Sequence, residues 1–417
     1  MKNYPPPHFP IEEVRSLFPA LKRTYKNKPV IYFDGPGGSQ VVLTSIEAIT
    51  TYMLRGGGNL HGPFPTSVET EQSIEEARSA VADLLKAKPS EIAFGQNSTS
   101  LAFSIARALS RLWDEEDEVV VTEIDHRTNV DPWVTAAIDK GMAVRWIPVH
   151  TDNFTLDVSN LDTLITNKTK VVAVTLASNA VGTIIDVEKI ANRAKEVGAL
   201  VVVDAVHAVP HFAVDQTQLG ADILLCSAYK FFGPHVGIAL IREGLFESLT
   251  PYKVKPAPTY IPDKLETGTQ NHEGICGIKP AIEFIENLGI GSSRRERIVS
   301  GYERIEEYEN YLADMIRKQL ASLPQVILYQ APESIKKTPT IAFRIEGISP
   351  KEVCKRMVEE HSIFIANGDF YASTLADKVG IAEDGGWIRA GLAPYNTEEE
   401  VRQFLTAIEM MVVEVKV

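Results

Sequence analysis

Residues 200–207 read LVVVDAVH, and residues 222–230 read DILLCSAYK. In both, branched or long aliphatic side chains are followed by polar ones, as in a strand that is buried on both faces of a sheet. A similar run, KVVAVTL, occupies residues 170–176. Helix-length amphipathic segments lie between such runs and supply the crossovers that parallel strands need. These stretches predict a large α/β domain.

Further runs extend this pattern to a mainly parallel sheet of seven predicted strands. The predicted strands are Glu91–Phe94, Glu118–Val121, Ala143–Pro148, Lys170–Leu176, Leu200–Val203, Asp222–Leu225 and Gly237–Ile241. After Pro280 the alternation gives way to long charged helical patterns. Helices are predicted there at Arg294–Leu323, Pro350–Glu360 and Thr397–Val413, and strands at Thr340–Ile345 and Gly386–Ala390. This second part predicts a smaller α+β domain.

The domain boundaries follow from these changes of pattern. We predict a large domain over residues 30–285 and a small C-terminal domain over residues 286–417. Residues 1–29 are predicted as an N-terminal segment that packs with the small domain and has a helix near Ile11–Phe18.

Composition argues against several classes of partner. The formal net charge of -13 disfavours nucleic acid, because phosphate neutralisation needs a surplus of Lys and Arg. No stretch approaches the roughly 20 apolar residues of a membrane span, and the first residues have no apolar core of a secretory signal. Cys226, Cys276 and Cys354 are too few and too scattered for a disulfide framework or a zinc site. We therefore expect a cytoplasmic protein without a metal site.

Lys230 lies among aromatic and small residues in the segment CSAYKFFGP, residues 226–234, which directly follows a predicted strand. Such a lysine is partly desolvated, which lowers the pKa of its amine and makes it available to form an imine. Taken alone, an exposed lysine in an ordinary loop is the commoner explanation.

Two other polar groups follow predicted strands. Asp204 ends the run LVVVD, where a carboxylate is placed to hold a pyridinium nitrogen protonated, although capping of a helix explains it about equally well. Ser98 and Thr99 lie in the turn FGQNSTSL, residues 94–101, where hydroxyls and backbone N–H groups at a helix start form a phosphate cradle. Plain helix capping is again the alternative.

Together with other segments in a fixed order, these motifs resemble the class V aminotransferase family. The closest resemblance is to its cysteine desulfurase branch and to the related selenocysteine lyases. The additional segments are DHRTN at 125–129, ASNAVG at 177–182, ETGT at 266–269 and RAGLAPYNT at 389–397. The resemblance runs from Tyr32 to Thr397, nearly the whole chain. It implies the type I fold of transferases that depend on pyridoxal 5′-phosphate (PLP), a homodimer with shared active sites, and a small amino-acid substrate.

The resemblance also implies a role for each matching residue. Lys230 would carry PLP as a Schiff base, Asp204 would pair with the pyridinium nitrogen, and His126 would stack on the ring. Arg389 would clamp the substrate α-carboxylate with its planar guanidinium. The other implied contacts are Ser98, Thr99 and Ser227 on the phosphate, Thr269 on the phosphate of a neighbouring subunit, Asn179 on the phenolic oxygen or the substrate carboxylate, His207 beside the cofactor oxygen, and His61 along the substrate site.

The sequence departs from the desulfurases where their sulfur-transfer cysteine stands. That loop aligns with residues 367–373, NGDFYAS, which hold Tyr371 and no cysteine. A desulfurase needs a thiolate there, because a soft nucleophile must take the sulfur. The sequence also has Tyr229 in place of a histidine and His207 in place of a glutamine.

These departures favour a PLP-dependent carbon–sulfur or carbon–selenium lyase that acts on cysteine, cystine or a related β-substituted amino acid. Lys230 is then the general base, and elimination needs no protein thiolate. A true desulfurase with an atypical thiol, an aminotransferase, and an epimerase in which His126 or Tyr371 is the second acid remain open. A non-catalytic scaffold for sulfur-carrier assembly is the alternative outside enzymes.

Overall fold

The seven-stranded sheet predicted from the sequence is present in the computed structural model, which describes residues 9–415. Its strands are β1 (Ile92–Gly95), β2 (Glu118–Thr122), β3 (Ala143–Ile147), β4 (Thr169–Thr175), β5 (Leu200–Asp204), β6 (Ile223–Ser227) and β7 (Gly237–Ile241). Their order across the sheet is β1-β7-β6-β5-β4-β2-β3. Strand β7 runs antiparallel to both neighbours and the other pairs are parallel, which confirms the mainly parallel sheet.

The central strands are buried on both faces, as their sequences predict. Along β5, Val201 and Val203 belong to one hydrophobic cluster and Val202 to another, because successive side chains point to opposite faces. Helices that follow or precede the strands cover these faces. They are Leu43–Arg55, Pro65–Leu85, Ser98–Leu109, Asp131–Asp139, Leu161–Leu164, Val187–Val197, Gln216–Leu219, Glu243–Ser248, His272–Cys276 and Ile278–Leu288.

The C-terminal part contains a four-stranded antiparallel sheet. Its strands β8 (Val326–Tyr329), β9 (Thr340–Ile345), β10 (Ala366–Gly368) and β11 (Trp387–Gly391) lie in the order β8-β9-β11-β10. The helices here are Arg294–Ala321, Pro350–His361, Ser373–Lys378 and Glu398–Val415. The backbone N–H of Glu400 donates to Thr397 Oγ1 at 3.1 Å and that of Thr397 donates to Glu400 Oε2 at 3.1 Å, a capping box that fixes the start of the last helix.

The described part of the N-terminal segment lies against the C-terminal part. Helix Ile11–Ser16 presents Arg15, which donates to the carbonyl of Tyr395 at 2.6 Å and to Glu400 at 2.9 Å. The short strand Ile31–Tyr32 pairs in parallel with Ile363–Phe364. The boundaries at residues 29 and 285 remain predictions, and residues 1–8 lie outside the described residues. No helix in residues 9–415 is long and apolar enough to span a membrane.

Candidate active site

A cavity of about 360 Å³ lies at the carboxyl ends of the parallel strands. Strands β1, β2, β4, β5 and β6 all end beside it, which is where open α/β sheets bind ligands. The lining residues are Asp34, Pro36, Gly37, Asn97, Ser98, Thr99, His126, Thr128, Thr175, Ala177, Asn179, Asp204, Val206, His207, Ser227, Tyr229, Lys230, Ala366, Phe370, Tyr371 and Arg389.

Lys230 ends a short 3₁₀ turn that directly follows β6. Its Nζ donates to the backbone carbonyl of Pro36, and to that of Gly37 at 3.1 Å. Burial, and then the charge of Arg389, lower the pKa of the Lys230 amine to about 7. A large share of this amine is therefore neutral and nucleophilic near neutral pH.

Asp204 is the last residue of β5 and is buried. Its Oδ1 accepts the backbone N–H of Val206 at 2.8 Å. Burial raises the pKa of this carboxyl to about 6. A cationic N–H group that enters the cavity would stabilise the charged carboxylate, so the site fits a pyridinium nitrogen.

The wall beside β1 and β6 fits a phosphate. Ser98 begins the helix Ser98–Leu109, so backbone N–H groups of its first turn have no partner within the helix. The hydroxyls of Ser98 and Ser227 lie 2.6 Å apart, and those of Thr99 and Thr128 lie 2.8 Å apart. The start of a 12-residue helix, with its free N–H groups and nearby hydroxyls, can bind an anion such as phosphate.

His126 follows β2 and is held in one orientation. Its Nδ1 accepts the backbone N–H of Thr128 at 3.0 Å, which leaves the hydrogen of the neutral ring on Nε2. Burial lowers the pKa of this imidazole to about 4, so the ring is neutral at neutral pH. The preceding Asp125 accepts from Asn129 at 2.7 Å and from the backbone of Thr175 at 3.0 Å, which ties the end of β2 to that of β4.

His207 lines the cavity but is bonded to the C-terminal part. Its Nε2 lies 2.9 Å from Thr340 Oγ1 and 3.1 Å from Thr338 Oγ1. Burial lowers the pKa of His207 well below its usual value, so the ring is neutral. The orientation of this histidine therefore depends on residues at the start of β9.

Arg389, on β11, reaches the cavity from the opposite side. It is buried, and its Nη1 donates to the carbonyl of Asn179 at 3.0 Å while Nη2 donates to Asp34 Oδ1 at 3.1 Å. The guanidinium carbon lies 3.7 Å from the centroid of the Phe370 ring. Within residues 9–415, Arg389 Nε and Asn179 Oδ1 are buried and have no hydrogen-bond partner. Unpaired polar atoms of this kind at a cavity wall fit a polar ligand such as PLP with an amino acid.

The loop that carries Tyr371 is tied to the cavity by its backbone. Asn179 Nδ2 donates to the carbonyl of Phe370 at 2.8 Å. The backbone N–H of Arg127 donates to the carbonyl of Tyr371, also at 2.8 Å. Phe370 and Tyr371 both have positive φ values, 52° and 58°, which are unfavourable for residues with a side chain. The hydrogen bonds around them must therefore hold the backbone in this conformation. The ring of Tyr371 is exposed, with its centroid 5.2 Å from that of His126.

Two of the predicted site residues lie outside this cavity in the single chain. His61 is exposed and its Nδ1 lies 3.3 Å from Glu71. Thr269 lines a separate cavity together with Gln96 and His235. The structure brings the other predicted site residues together, whereas the roles given to all of them remain predictions.

Sequence reasoning missed several residues that line the cavity. Asp34, Pro36 and Gly37 lie shortly after Tyr32, where the resemblance begins, but no role was derived for them. Thr128 lies two residues after His126, and its closeness to that predicted residue was the feature of the sequence that could have identified it. Phe370 stands beside Tyr371 and has no local pattern that distinguishes it.

Comparison with known proteins agrees with this geometry. The aminotransferase class-V family model matches residues 31–404. An aminotransferase-like protein of Gibberella zeae is 32% identical over 413 residues, which cover 97% of this chain and 98% of the relative. A probable cysteine desulfurase of Pyrococcus abyssi is 31% identical over 420 residues, which cover 96% of this chain and 97% of the relative.

A solved structure has the same fold over the full length. The apo cysteine desulfurase of Thermococcus onnurineus superposes with a TM-score of 0.88 at 30% identity, covering 99% of this chain and 100% of that chain. This likeness confirms the type I fold with its C-terminal domain. With a cavity that fits the cofactor, these matches show that the chain belongs to the aminotransferase class-V family and is a PLP-dependent enzyme of its cysteine desulfurase-like group.

Proposed function

We propose that the chain is a carbon–sulfur or carbon–selenium lyase that acts on cysteine, cystine or a related β-substituted amino acid. The observation that carries the proposal is the absence of a sulfhydryl group among the described residues of the cavity wall. Elimination of the β-substituent needs a base at Cα and no protein thiolate. From L-cysteine and water the products are pyruvate, ammonia and hydrogen sulfide.

The three cysteines are poorly placed for sulfur transfer. Cys226 and Cys354 are buried, and burial raises the pKa of both thiols, that of Cys354 to about 12. Burial also raises the pKa of the partly buried Cys276. Because the thiolate is the nucleophilic form, all three are less reactive than an ordinary cysteine.

Different residues of the cavity would contact different parts of the cofactor. Bound PLP supplies an electron sink for the pair left at Cα when its proton is removed. Asp204 would keep the ring nitrogen protonated, and His126 would hold the ring flat with its neutral face. Ser98, Thr99 and Ser227 would hold the phosphate through their hydroxyls and the helix N-terminus.

Arg389 and Lys230 would act on the amino acid. Arg389 would bind the α-carboxylate, for which Nε has no partner within the described residues. Nζ of Lys230 would accept the Cα proton, because its lowered pKa leaves the amine unprotonated above about pH 7. Tyr371 and His126, whose ring centroids lie 5.2 Å apart, also line the cavity and would shield the reacting atoms from water.

We also propose a homodimer in which Thr269 completes the phosphate site of the neighbouring subunit. Glu266 holds this segment in place, since it accepts from Arg78 Nη1 at 2.8 Å and from the backbone of Phe94 at 2.8 Å. Thr269, three residues after Glu266, lies outside the cavity of its own chain. If Thr269→Ala leaves cofactor retention unchanged in the purified dimer, this shared site is wrong.

Product analysis tests the proposed reaction. The purified holoenzyme is incubated with L-cysteine and, separately, with L-cystine, and pyruvate, ammonia, alanine and protein-bound persulfide are measured. We expect pyruvate and ammonia in equal amounts. Alanine in place of pyruvate, together with a protein persulfide, would overturn the lyase in favour of desulfuration.

A further inference from the structure

Asp34 places a second charged group beside the guanidinium of Arg389. Its Oδ1 lies 3.1 Å from Arg389 Nη2. The side chain of Asp34 is 41% exposed and that of Arg389 is 4% exposed, so the carboxylate faces the cavity while the guanidinium forms its wall. A Cβ atom on Gly37 would come within 2.4 Å of Asp34 Oδ2, so glycine at that position leaves room for the carboxylate.

This carboxylate changes which ligands Arg389 can accept. An incoming carboxylate on Arg389 comes close to Asp34, and two like charges at that distance repel each other. An α-amino acid carries its ammonium on the carbon that bears the carboxylate. It therefore brings a cation to Asp34 as its carboxylate reaches Arg389, whereas a simple carboxylic acid does not.

The other acidic group of the cavity is already committed. Of the described lining residues, Asp34 and Asp204 are the acidic ones. Asp204 is buried at the end of β5 and one of its oxygens accepts the N–H of Val206. The amine of Lys230 donates to backbone carbonyls of Pro36 and Gly37. This leaves Asp34 as the partly exposed carboxylate that can receive a cation from the open side of the cavity.

We propose that Asp34 and Arg389 together form a receptor for the zwitterion of the substrate. Arg389 binds the α-carboxylate and Asp34 binds the α-ammonium before the amino acid reacts. Asp34 thereby selects amino acids over carboxylic acids of the same size. The proposal rests on the amino-acid substrate and the role of Arg389 in the proposed function, and not on the elimination step.

A matched pair of ligands without a leaving group tests this receptor. L-Alanine and propionate differ in the amino group, and neither has a β-substituent to lose. Their dissociation constants are measured by titration calorimetry on holoenzyme in which borohydride has fixed the cofactor to Lys230, so that no covalent step is open to the ligand. The variants are Asp34→Asn and, as a control, Asp162→Asn, which removes an exposed carboxylate 3.3 Å from Arg193.

The two ligands should respond in opposite directions. In Asp34→Asn, L-alanine should bind roughly tenfold more weakly, because a charge-assisted contact to its ammonium is lost. Propionate should bind about threefold more tightly, because a like charge beside Arg389 is gone. The control variant should leave both constants unchanged.

Other outcomes overturn the receptor. Weaker binding of both ligands would mean that Asp34 only holds Arg389 in position. Unchanged binding of both would mean that Asp34 neither binds the ammonium nor positions Arg389. Equal affinity of the wild-type enzyme for the two ligands also contradicts selection. If Asp34→Asn does not retain the cofactor, Asp34→Ser must give the same opposite shifts. Since neither ligand can undergo elimination, these results are independent of whether the enzyme is a lyase.

Discussion

The cavity has two walls that differ in how they are built. The strand-end wall consists of Ser98, His126, Asp204, Ser227 and Lys230, and each of these follows or ends a strand of the large sheet. The other wall, here called the loop wall, consists of Asp34, Asn179, Phe370 and Tyr371 together with Arg389 from β11. Side-chain contacts between distant parts of the chain hold it together. The strand-end wall fits the cofactor common to the family. The loop wall lacks the cysteine of the desulfurases. We therefore expect residues of this wall to determine how the reaction differs from desulfuration.

Removing the amine of the strand-end wall should have the largest effect. In Lys230→Ala the base at Cα is lost, and we expect kcat for pyruvate release to fall by about 10³-fold or more. Asp204 and the phosphate cradle should still retain some PLP without a covalent bond, which visible absorbance and cofactor content measure. Lys336→Ala, which removes an 82% exposed lysine, is the control and should leave kcat unchanged. Turnover by Lys230→Ala within tenfold of the wild type would show that another group is the base.

The strand-end wall was largely predictable from the sequence. A buried strand has a local signature of contiguous aliphatic residues, and ligands gather where such strands end. Lys230 and Asp204 were therefore identified together with their strands, β6 and β5. The order of the strands was not predicted, since it depends on pairings such as that of β1 with β7, which are far apart in the chain.

The loop wall was less predictable, because its contacts join distant segments. Asp34 and Arg389 are separated by 355 positions, and no local pattern connects them. The positive φ values of Phe370 and Tyr371 are set by hydrogen bonds from Asn179 and Arg127, not by a glycine that the sequence would reveal. A resemblance indicated where this loop lies and that it lacks cysteine. It did not show that the loop is tied down.

The next largest effect should come from the loop wall. Arg389→Lys keeps the positive charge but loses the planar pair of donors, so kcat/KM for L-cysteine should fall about 30-fold. The neighbouring strand offers a control, Arg344→Lys, whose side chain is partly buried outside the cavity and donates to the carbonyl of Asp384. Cofactor absorbance should be unchanged in both variants. An equal loss in the two variants would show that Arg389 does not contact the substrate.

The pH dependence of turnover tests one residue of the strand-end wall, Lys230. Burial lowers the pKa of the Lys230 amine to about 7, and the neutral amine is the form that accepts a proton. In the free holoenzyme Lys230 carries the cofactor, and the amine is released only once the amino acid is bound, so kcat at saturating L-cysteine reports on it. Up to about pH 7, log kcat should therefore rise with a slope near one, or roughly tenfold per pH unit, and then level off. Initial rates of pyruvate release between pH 5.5 and about 9 measure this, with thermal unfolding at each pH as the control for stability. A rate that falls as pH rises through 7 contradicts a neutral lysine as base.

The smallest expected effect concerns the cysteines. A variant with Cys226→Ala, Cys276→Ala and Cys354→Ala has no thiol left, because the sequence contains three cysteines. Elimination uses none of them, so kcat for pyruvate should stay within about twofold of the wild type. Two of the three thiols are buried, and their removal should lower the thermal stability slightly. Cofactor absorbance and a cooperative melting transition establish that the variant is folded.

This null effect bears most directly on the difference between the walls. If the cysteine-free variant is folded and retains PLP but no longer turns over L-cysteine, a thiol outside the cavity wall must reach the substrate. We would then expect the hydrogen bonds from Asn179 and Arg127 to the carbonyls of Phe370 and Tyr371 to break during turnover, because they hold this loop in place. Single Cys276→Ala would identify the least buried candidate. Retained turnover instead shows that no thiol of the chain takes part, and the reaction is then left to other groups of the cavity, among them Lys230 and Arg389.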